Sequence, residues 1–543
     1  MRSLLLIIML AACGSAGVGE LRFANKGPAL RVDDRHDEAK PEARVFARTL
    51  YMLDVFFAKS ADEKLALPTT HRAGDVNALD EVPDSTWFTN RIGVRDMSED
   101  EIRTAGRGDH PAPHGPWSVI GTKVGGASPG LLVRDASGAK FVMKFDTRGM
   151  PDMQTGADVA AQKLLWAIGY NTPEDAIVTL RREELSLGKG AKVEDVFGNK
   201  RPMVQHDLDH VLTQIDHRED GSYRALVSRY LDGVPVGGYA AKGLRDDDPN
   251  DRVAHEDRRS LRGQRVFFAW LDNTDVKEDN GLDMWIVDGA KHYLMHHILD
   301  FGLALGVYGM DQIDDADGFA ETIDYEVEAE SLVTLGLWRR PWEGADSPAI
   351  RGVGRFESAH FDPFGWADRY PYPPFQHVED ADGFWAAKIV MRFTPAQIRA
   401  AVEEGTYQDP RAVDYLTNTI VERQRITGKA YFDRVSPLDA ITIDDTASIS
   451  FDDLALVYFD DTPATHYVAQ AYDYDGHALA WHADVAGAAH SSLPALPLPA
   501  THDGYTIVEV RAVRGGRELP PVLVHLARDP QSHTLRVIGI KRS

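Results

Sequence analysis

The chain has 543 residues, 43% of them apolar and 26% charged, which is the composition of a soluble globular protein with several domains. The formal net charge of −25 argues against a nucleic-acid-binding protein, which needs a basic surface, and against docking by charge on an anionic membrane. A single cysteine, Cys13, leaves no intramolecular disulfide.

The first residues, MRSLLLIIMLAACGS, predict an export signal. Arg2 gives a positive start, residues 4–10 form an apolar run too short to span a bilayer, and small residues precede Cys13. The segment resembles a bacterial lipoprotein signal. The resemblance implies that residues 1–12 are cleaved and that acyl chains on Cys13 anchor the protein in the cell envelope, in the outer membrane because Gly14 follows. An unlipidated secreted protein is the alternative.

The next two segments carry no recognisable chemistry. Residues 13–42 are small, polar and charged without periodicity, and they predict a flexible tether. Residues 43–116 predict an extension that is partly helical and partly irregular, and the role of its segment 80–95 stays open.

Residues 117–233 predict mainly strands. WSVIGTKVGGASPGLLVRDASGAKFVMKFD reads as three strands joined by a glycine-rich turn and an Ala-Ser-Gly turn. GADVAAQKLLWAIGY predicts a helix that ends at Gly169, and YRALVSRYLDGVP predicts another strand. In the third strand, alternation places Val142 and Lys144 on the face opposite Phe141 and Met143.

Residues 234–437 predict mainly helices. HEDRRSLRGQRVFFAWL predicts one helix, and KHYLMHHILDFG predicts a strand that stops at Asp300. A capping box at Thr394–Gln397 predicts a helix that Gly405 ends, and Asp409-Pro410 opens another. Residues 438–543 alternate in hydrophobicity and carry Asp-Gly and Gly-Gly turns, which predicts a β-sandwich without helices.

Several polar residues fit the parts that phosphoryl transfer from ATP requires. DVKEDN, from Asp275 to Asn280, has the Asp-x-Lys-x-x-Asn spacing of a protein-kinase catalytic loop, where Asp is the base, Lys (here Lys277) touches the transferred phosphate and Asn holds a metal ion. Asp300-Phe301-Gly302 fits a second metal ligand at the end of a strand.

The strand and turn before this loop fit the nucleotide. Lys144 suits the nucleotide phosphates, and Val142, on the same face, suits the roof of an adenine pocket. Gly125 and Gly126 lie where backbone must approach phosphates closely.

Residues 117–310 resemble an atypical protein-kinase-like fold, closest to HipA-type kinases and the distantly related secretory kinases. The residues that carry the resemblance are GGASPGLLVRDASGAKFVMKF and DNTDVKEDN followed by ILDFG. The resemblance implies an α+β protein, with a two-lobed kinase-like domain (117–233 and 234–437) before the C-terminal β-sandwich.

The resemblance also implies the roles of individual residues. Lys144 would contact the phosphates of ATP, and Asp275 would be the base. Asn280 and Asp300 would hold Mg²⁺, with Mn²⁺ as the alternative metal. The hinge between the lobes would lie at Tyr230-Leu231-Asp232, with Leu231 beside the nucleotide.

The sequence departs from the kinase pattern in several places. No His-Arg precedes Asp275, and Ser128-Pro129-Gly130 replaces the basic residue common in HipA-type loops. Asp158 stands where a glutamate would pair with Lys144, and its shorter side chain argues against the pair. No standard activation segment follows Gly302.

The sequence therefore predicts an exported kinase that transfers phosphate from ATP to a hydroxyl of a protein, glycan or small molecule. A reversed nucleotide would make the same residues a nucleotidyl transferase. The rivals are a pseudokinase that only binds nucleotide and an envelope scaffold that binds through the β-sandwich. A zinc site at His292, His296 and His297 has the wrong spacing, and a serine hydrolase would need a nucleophile elbow that the sequence lacks.

Overall fold

The structure, a computed structural model, describes residues 18–44, 51, 54–59, 71–123, 128–195, 198–308, 316–345 and 347–542. Cys13, the signal segment, Gly125 and Gly126 lie outside these ranges. The chain forms two compact units of mixed α/β structure. The larger unit comprises Ala29–Asn77 and Glu81–Phe432, and the smaller comprises Asp433–Ser543 with Ala78–Asp80 and the described residues before Ala29.

Seven described strands of the larger unit form one mixed sheet in the order β4-β7-β3-β2-β1-β5-β6. Strands β1 and β5 pair in parallel, and the other neighbours pair antiparallel. The strands are β1 Trp117–Thr122, β2 Gly130–Arg134, β3 Lys140–Lys144, β4 Asp175–Leu180, β5 Leu185–Glu194, β6 Lys200–Pro202 and β7 Tyr223–Arg229.

The alternation predicted for β3 is confirmed. Phe141 and Met143 are buried in the core of this sheet, together with side chains of β1, β2 and the helix Gln205–Thr213. Val142 and Lys144 are half-buried on the opposite face. The helix Met153–Ile168 contacts β4 and β7, so it packs on the same sheet that carries Lys144.

The rest of the larger unit combines a small antiparallel sheet with helices. The sheet has the order β10-β9-β8, from β8 Val234–Pro235, β9 Gly281–Asp288 and β10 Lys291–Ile298. The α-helices of this unit not yet named are Glu99–Arg103, Arg259–Arg262, Gln264–Leu271, Tyr325–Val333, Pro373–Gln376, Asp380–Met391, Pro395–Glu403 and Pro410–Phe432. Shorter turns of other helix types are Asp54–Lys59, Arg182–Glu184, His255–Asp257, Glu278–Asn280 and Pro341–Gly344.

One helix predicted in this region is two pieces. HEDRRSLRGQRVFFAWL forms the helices Arg259–Arg262 and Gln264–Leu271, which meet at Gly263. A Cβ atom at Gly263 would lie 2.5 Å from the ring of Trp385. The aromatic ring therefore occupies the space of a side chain, which explains the glycine inside a helical pattern. No helix in the described ranges has both the length and the apolar character to cross a membrane.

The smaller unit contains two antiparallel sheets, β11-β12-β15 and β14-β13-β16-β18-β19, with β17 paired to β16. Side chains of both sheets share one core, among them Ile449 and Phe451 from the first sheet and Tyr467, Val508 and Val524 from the second. The strands are β11 Leu438–Ile443, β12 Ile449–Asp453, β13 Thr465–Tyr472, β14 Ala478–Ala486, β15 His490–Ser492, β16 Thr506–Arg514, β17 Arg517–Glu518, β18 Val522–Arg528 and β19 Leu535–Arg542.

The prediction that helices are absent after residue 438 was wrong. The helix Leu454–Tyr458 follows β12, and the buried carboxylate of Asp453 accepts hydrogen bonds from the backbone N–H groups of Ala455 (3.0 Å) and Leu456 (3.4 Å). Arg514 of β16 binds the same carboxylate at 2.8 Å. Asp453 directly precedes the helix and caps it, and Arg514, distant in sequence, pairs with the capping carboxylate.

The stretch that its composition predicts to be a tether makes specific hydrogen bonds from residue 18 onward. Within the smaller unit, the backbone N–H of Phe23 donates to the hydroxyl of Tyr505 at 2.9 Å. Within the larger unit, the carboxylate of Asp34 accepts from the backbone N–H and the hydroxyl of Thr86, at 2.7 and 2.9 Å. These hydrogen bonds attach the segment from residue 18 onward to folded parts of the protein.

Candidate active site

Lys144, at the end of β3, lies between two carboxylates. Its Nζ donates to Oδ2 of Asp158 at 2.9 Å and to Oδ1 of Asp300 at 2.8 Å. The side chain of Asp158 is 2% exposed and that of Asp300 is 43% exposed. Asp158 is therefore the enclosed partner of the lysine, and Asp300 is the partner that solvent and ligands can reach.

Asp158 also fixes the backbone next to Asp300. Its Oδ1 accepts a hydrogen bond from the backbone N–H of Phe301 at 2.9 Å, and the Phe301 ring is buried. Asp300 itself adopts φ +63°, a left-handed conformation that is uncommon outside glycine. The pair with Lys144 that the short side chain of Asp158 argued against is made.

The opposite charges of this cluster stabilise each other. The ammonium of Lys144 lowers the pKa of Asp300 to about 2, against burial, which would raise it. Burial alone would lower the pKa of Lys144, but Asp158 and Asp300 raise it above its usual range. The pKa of Asp158 is raised by burial, although Lys144 opposes that rise. At neutral pH the accessible carboxylate of Asp300 is thus ionised beside an ammonium group.

The loop that follows the helix Gln264–Leu271 carries Asp275, Lys277 and Asn280. The helix ends at Asp272, which has φ +52°, and the backbone N–H of Asn273 donates to the carbonyl of Phe268 at 2.9 Å. The loop then runs into the turn Glu278–Asn280 and into β9.

Within the loop, the three predicted residues contact one another. Lys277 Nζ lies 2.8 and 2.6 Å from the two carboxylate oxygens of Asp275. Asn280 Nδ2 donates to the backbone carbonyl of Asp275 at 2.7 Å and to its Oδ2 at 3.2 Å. Burial would lower the pKa of Lys277, and Asp275 raises it above the usual value. Asp275 is 8% exposed, and these contacts hold its carboxylate in one orientation.

A backbone contact joins this loop to the Asp300 turn. The N–H of Leu299 donates to the carbonyl of Asn280 at 2.8 Å. Lys277 also lowers the pKa of Asp300, to a smaller extent than Lys144 and Lys123. The structure therefore brings together Lys144, Asp275, Lys277, Asn280 and Asp300, five of the residues that the sequence predicted.

The turn predicted to cover phosphates can be described only at its two ends. Gly125 and Gly126 lie outside the described residues, and Lys123 Nζ donates to the carbonyl of Ser128 at 3.3 Å. A Cβ atom at Gly130 would lie 2.7 Å from the carbonyl of Met143. The backbone of β2 thus approaches β3 closely, directly opposite Lys144.

Val142 and Leu231 were both predicted to contact the nucleotide. Leu231 lines a cavity of about 250 Å³ with Tyr230, Asp232, Met295 and His297, and Val142 is not among the described residues around it. Val142 lies on the Lys144 face of β3, between Leu132 of β2 and Ser228 of β7. Val142 therefore lies on the face of the sheet that presents Lys144.

Sequence reasoning missed Arg369 and the tyrosines Tyr308 and Tyr370, which lie near the loop that carries Asp275. The N–H of Arg369 donates to the carbonyl of Thr274 at 3.0 Å, and its guanidinium lies 4.1 Å from the ring centre of Tyr308. Burial and then Asp275 raise the pKa of the next residue, Tyr370. The string of aromatic residues in GWADRYPYPPF was the only signal, and it did not show which loop these residues would face.

The histidines considered as zinc ligands have other partners. His296 Nδ1 lies 2.7 Å from Asp283, and its ring stacks on Trp87 at 3.6 Å between centres. His292 Nδ1 lies 2.9 Å from Asp37. His297 Nδ1 lies 3.1 Å from the carbonyl of Met295, and burial lowers its pKa to about 4. In each of the three rings the Nδ1 atom therefore has a protein partner.

Comparisons with known proteins give few matches. No protein-family model matches the chain, and no curated protein matches it significantly. A crystal structure of the Helicobacter pylori proinflammatory kinase CtkA is similar at 10% identity, covering 56% of this chain and 92% of the other, with a TM-score of 0.31.

The Golgi casein kinase is similar at 10% identity, over 73% of this chain and 91% of the other, with a TM-score of 0.29. Its crystal structure with Mn and ADP bound is similar at 11% identity, with the same coverage and TM-score. Scores this low do not establish a common fold, so the geometry of the residues themselves has to indicate the chemistry.

Proposed function

We propose that this protein is an exported, lipid-anchored phosphotransferase that uses Mg²⁺ to transfer the terminal phosphoryl group of ATP to a hydroxyl of a protein, glycan or small molecule. One observation carries the proposal. Lys144 lies within 2.9 Å of Asp158 and Asp300, which are 14 and 156 residues away in sequence. The loop with Asp275, Lys277 and Asn280 is hydrogen-bonded to the turn of Asp300.

In this proposal residues 117–437 form a two-lobed kinase-like domain, and the two sheets of the smaller unit form a β-sandwich. Export and anchoring are supported by the resemblance of the first thirteen residues to a lipoprotein signal. The shared core of the two sheets supports the sandwich.

The side chains fit a hard divalent cation and a polyphosphate. Mg²⁺ prefers carboxylate and amide oxygens, and Asp300 offers an ionised carboxylate. Because Nδ2 of Asn280 donates to Asp275, the amide oxygen is the atom left for a metal. Bound Mg²⁺–ATP would supply the phosphoryl group.

Asp158 has a specific task in this scheme. The carboxylate of Asp300, which accepts a hydrogen bond from Lys144, is also the group that a cation would attract. Asp158 keeps Lys144 in place when Asp300 turns to the metal, so the ammonium remains aimed at the phosphates. Asp275 would orient and deprotonate the acceptor hydroxyl once Lys277 moves from the carboxylate to the phosphate.

A nucleotide-binding protein without transfer activity is the second candidate. The observation that favours it is the closed state of Asp275, both of whose oxygens accept hydrogen bonds from Lys277. A carboxylate held in this way cannot accept a proton from a hydroxyl until the lysine leaves.

The test measures turnover of terminally labelled ATP by the full chain with Mg²⁺, using water as the general acceptor and the chain itself as the protein acceptor. We expect labelled phosphate to be released or transferred, and Asp275→Asn to reduce the rate by about 100-fold or more while ATP still binds. ATP binding without turnover in the unmodified protein would favour the second candidate. Absence of both binding and turnover would contradict both.

A further inference from the structure

The larger unit contains a cavity of about 380 Å³ whose wall includes the side chain of Asp272. Asp272 ends the helix Gln264–Leu271, three residues before Asp275. The volume lies in the range of roughly 300–1,000 Å³ that is typical of small-molecule sites. The phosphoryl transfer proposed above makes no use of this space, which we call the Asp272 cavity.

The Asp272 cavity combines buried charged groups with an accessible rim. Asp272, Arg355 and Arg423 are 7%, 7% and 4% exposed, and all three line the cavity. His360 and Asp362 line it as well, and both are exposed. A ligand can therefore approach at the rim and reach charged side chains that lie deeper.

One oxygen of Asp272 is left for a ligand. Its Oδ1 accepts a hydrogen bond from Nε1 of Trp366 at 2.9 Å and lies 3.6 Å from Arg423. Its Oδ2 has no hydrogen-bond partner among the residues that the structure describes. A buried carboxylate oxygen without a donor is unfavourable, so a donor bound in the cavity would stabilise this side chain.

The charged groups of the wall have both signs, which restricts the charge of the ligand. They are Asp272, Glu357, Asp362, Arg355, Arg423 and the imidazole of His360. A cationic ligand would meet the two guanidinium groups, and an anionic ligand would meet the three carboxylates. A hydroxyl suits both kinds of group, because it donates one hydrogen bond and can accept two.

Aromatic rings lie beside these charges in the wall. Phe319, Phe361 and Trp366 line the cavity. The guanidinium of Arg423 lies 3.8 Å from the ring centre of Phe361, and that of Arg355 lies 5.4 Å from the ring centre of Phe319. A sugar ring matches such a wall, because hydroxyls surround its edge while its faces carry C–H groups that pack on aromatic rings.

We propose that the Asp272 cavity binds a neutral sugar residue, with one hydroxyl donating to Oδ2 of Asp272 and the ring packed against the aromatic side chains. The same chemistry fits a free monosaccharide and a single unit of a glycan. Binding requires neither ATP nor Mg²⁺, so it is independent of the proposed phosphoryl transfer.

The test is isothermal titration calorimetry of the full chain, without nucleotide, against glucose, galactose, mannose and N-acetylglucosamine. We expect saturable binding of at least one of them. Cyclohexanol, a ring with a single hydroxyl, should bind far more weakly, since the polar groups of the wall then stay unpaired. Glucuronate and glucosamine, which carry a negative and a positive charge, should bind about tenfold more weakly or worse.

Longer sugars distinguish the two sources of the ligand. A trisaccharide of the sugar that binds should bind at least as tightly as the single unit if the cavity serves a glycan. It should bind more weakly if the cavity serves a free monosaccharide.

Two variants locate the binding in the cavity. Ala345→Phe fills the cavity without removing a charge, and it should weaken binding by about tenfold or more. Asp272→Asn keeps an acceptor for Trp366 and loses the carboxylate, so it should also weaken binding. Urea unfolding checks that both variants are folded.

Ala136→Phe, at an exposed site in the turn between β2 and β3, is the matched control and should bind as the unmodified protein does. The proposal is overturned if none of the four neutral sugars binds saturably. It is also overturned if folded Ala345→Phe binds as tightly as the unmodified protein, or if cyclohexanol binds as tightly as the sugar.

Discussion

Asp158 shows how one substitution in a known pattern can be accommodated. The carboxylate is one methylene shorter than the expected glutamate, yet it contacts both Lys144 and the backbone N–H of Phe301. The second bond explains why the side chain is useful here: it ties the lysine to the turn that carries Asp300. The same atoms that orient the site therefore also contribute to stability.

Asp158→Ala should lower the free energy of unfolding by about 3 kcal/mol, since it removes one partner of a buried ammonium and leaves the Phe301 N–H unpaired. Urea unfolding of the variant and of the unmodified protein measures the difference. Asp158→Asn, which keeps an acceptor for the N–H, is the control and should lose less. A loss below about 1 kcal/mol, the size of a surface ion pair, would contradict the assignment.

Asp175, on β4, should make stability depend on pH. Burial and then the charge of Asp158 raise its pKa to about 8, and the side chain has one oxygen without a hydrogen bond. Between about pH 4 and pH 8 the folded protein keeps a proton that the unfolded chain releases, so the free energy of unfolding falls as pH rises through this window.

Asp175→Asn cannot ionise, so this fall should disappear. Relative to the unmodified protein, the variant should become more stable when urea unfolding is measured near pH 8 instead of near pH 5. An equal difference at the two pH values would show that Asp175 has an ordinary pKa in the folded protein.

Sequence reasoning worked best for residues whose relation is local. Asp275, Lys277 and Asn280 lie on one loop, so their spacing already placed them together. The contact of Lys144 with Asp300 joins residues 156 positions apart, and only the order of recognised motifs suggested it. Arg369 and Tyr370 lay in a segment with no recognisable motif, so nothing in their spacing linked them to the loop.

At the scale of elements, the helix Pro395–Glu403 shows how much a cap contributes. Thr394 Oγ1 accepts from the N–H of Gln397 at 3.2 Å, and Gln397 Oε1 accepts from the N–H of Thr394 at 2.8 Å, which confirms the predicted capping box. Both bonds satisfy groups that a helix end otherwise leaves without partners.

Thr394→Ala should therefore lower the free energy of unfolding by about 1 kcal/mol, as measured by urea unfolding. Thr394→Ser retains the hydroxyl and should change it by only a few tenths of a kcal/mol. If the two variants are equally destabilised, the hydroxyl does not act as a cap.

The sequence predicted the helices and strands whose periodicity or caps are local. It missed details that involve a residue distant in sequence. The three strands from Trp117 to Lys144 alternate clearly and pair in the predicted sequence. The ring of Trp385 fills the space beside Gly263, and Arg514 pairs with the carboxylate that caps the helix after Asp453. Neither partner can be read from the segment itself.

At the scale of the whole molecule, each unit has its own hydrophobic core and its own arrangement of charged residues. The larger unit contains the site, and the smaller contains two sheets around one core. Composition indicated a soluble protein of several domains. It could not indicate that a chain with a net charge of −25 has a short stretch, residues 331–342, with two arginines and no acidic residue.

The central claim is that the Lys144–Asp158–Asp300 cluster holds Mg²⁺ and ATP. Its most direct test is the gain in the free energy of unfolding when the full chain is given both ligands. Gly302→Ala is the matched control, because a Cβ atom at Gly302 would lie 3.7 Å from Asp158 Oδ2, an ordinary contact.

At about 100 times the dissociation constant, ATP with Mg²⁺ should raise the free energy of unfolding by about 2.7 kcal/mol in the unmodified protein and in Gly302→Ala. Removal of Mg²⁺, or Asp300→Asn, should abolish that gain, because each takes away one side of the metal contact. A gain that survives in Asp300→Asn, or no Mg²⁺-dependent gain in the unmodified protein, would contradict the account.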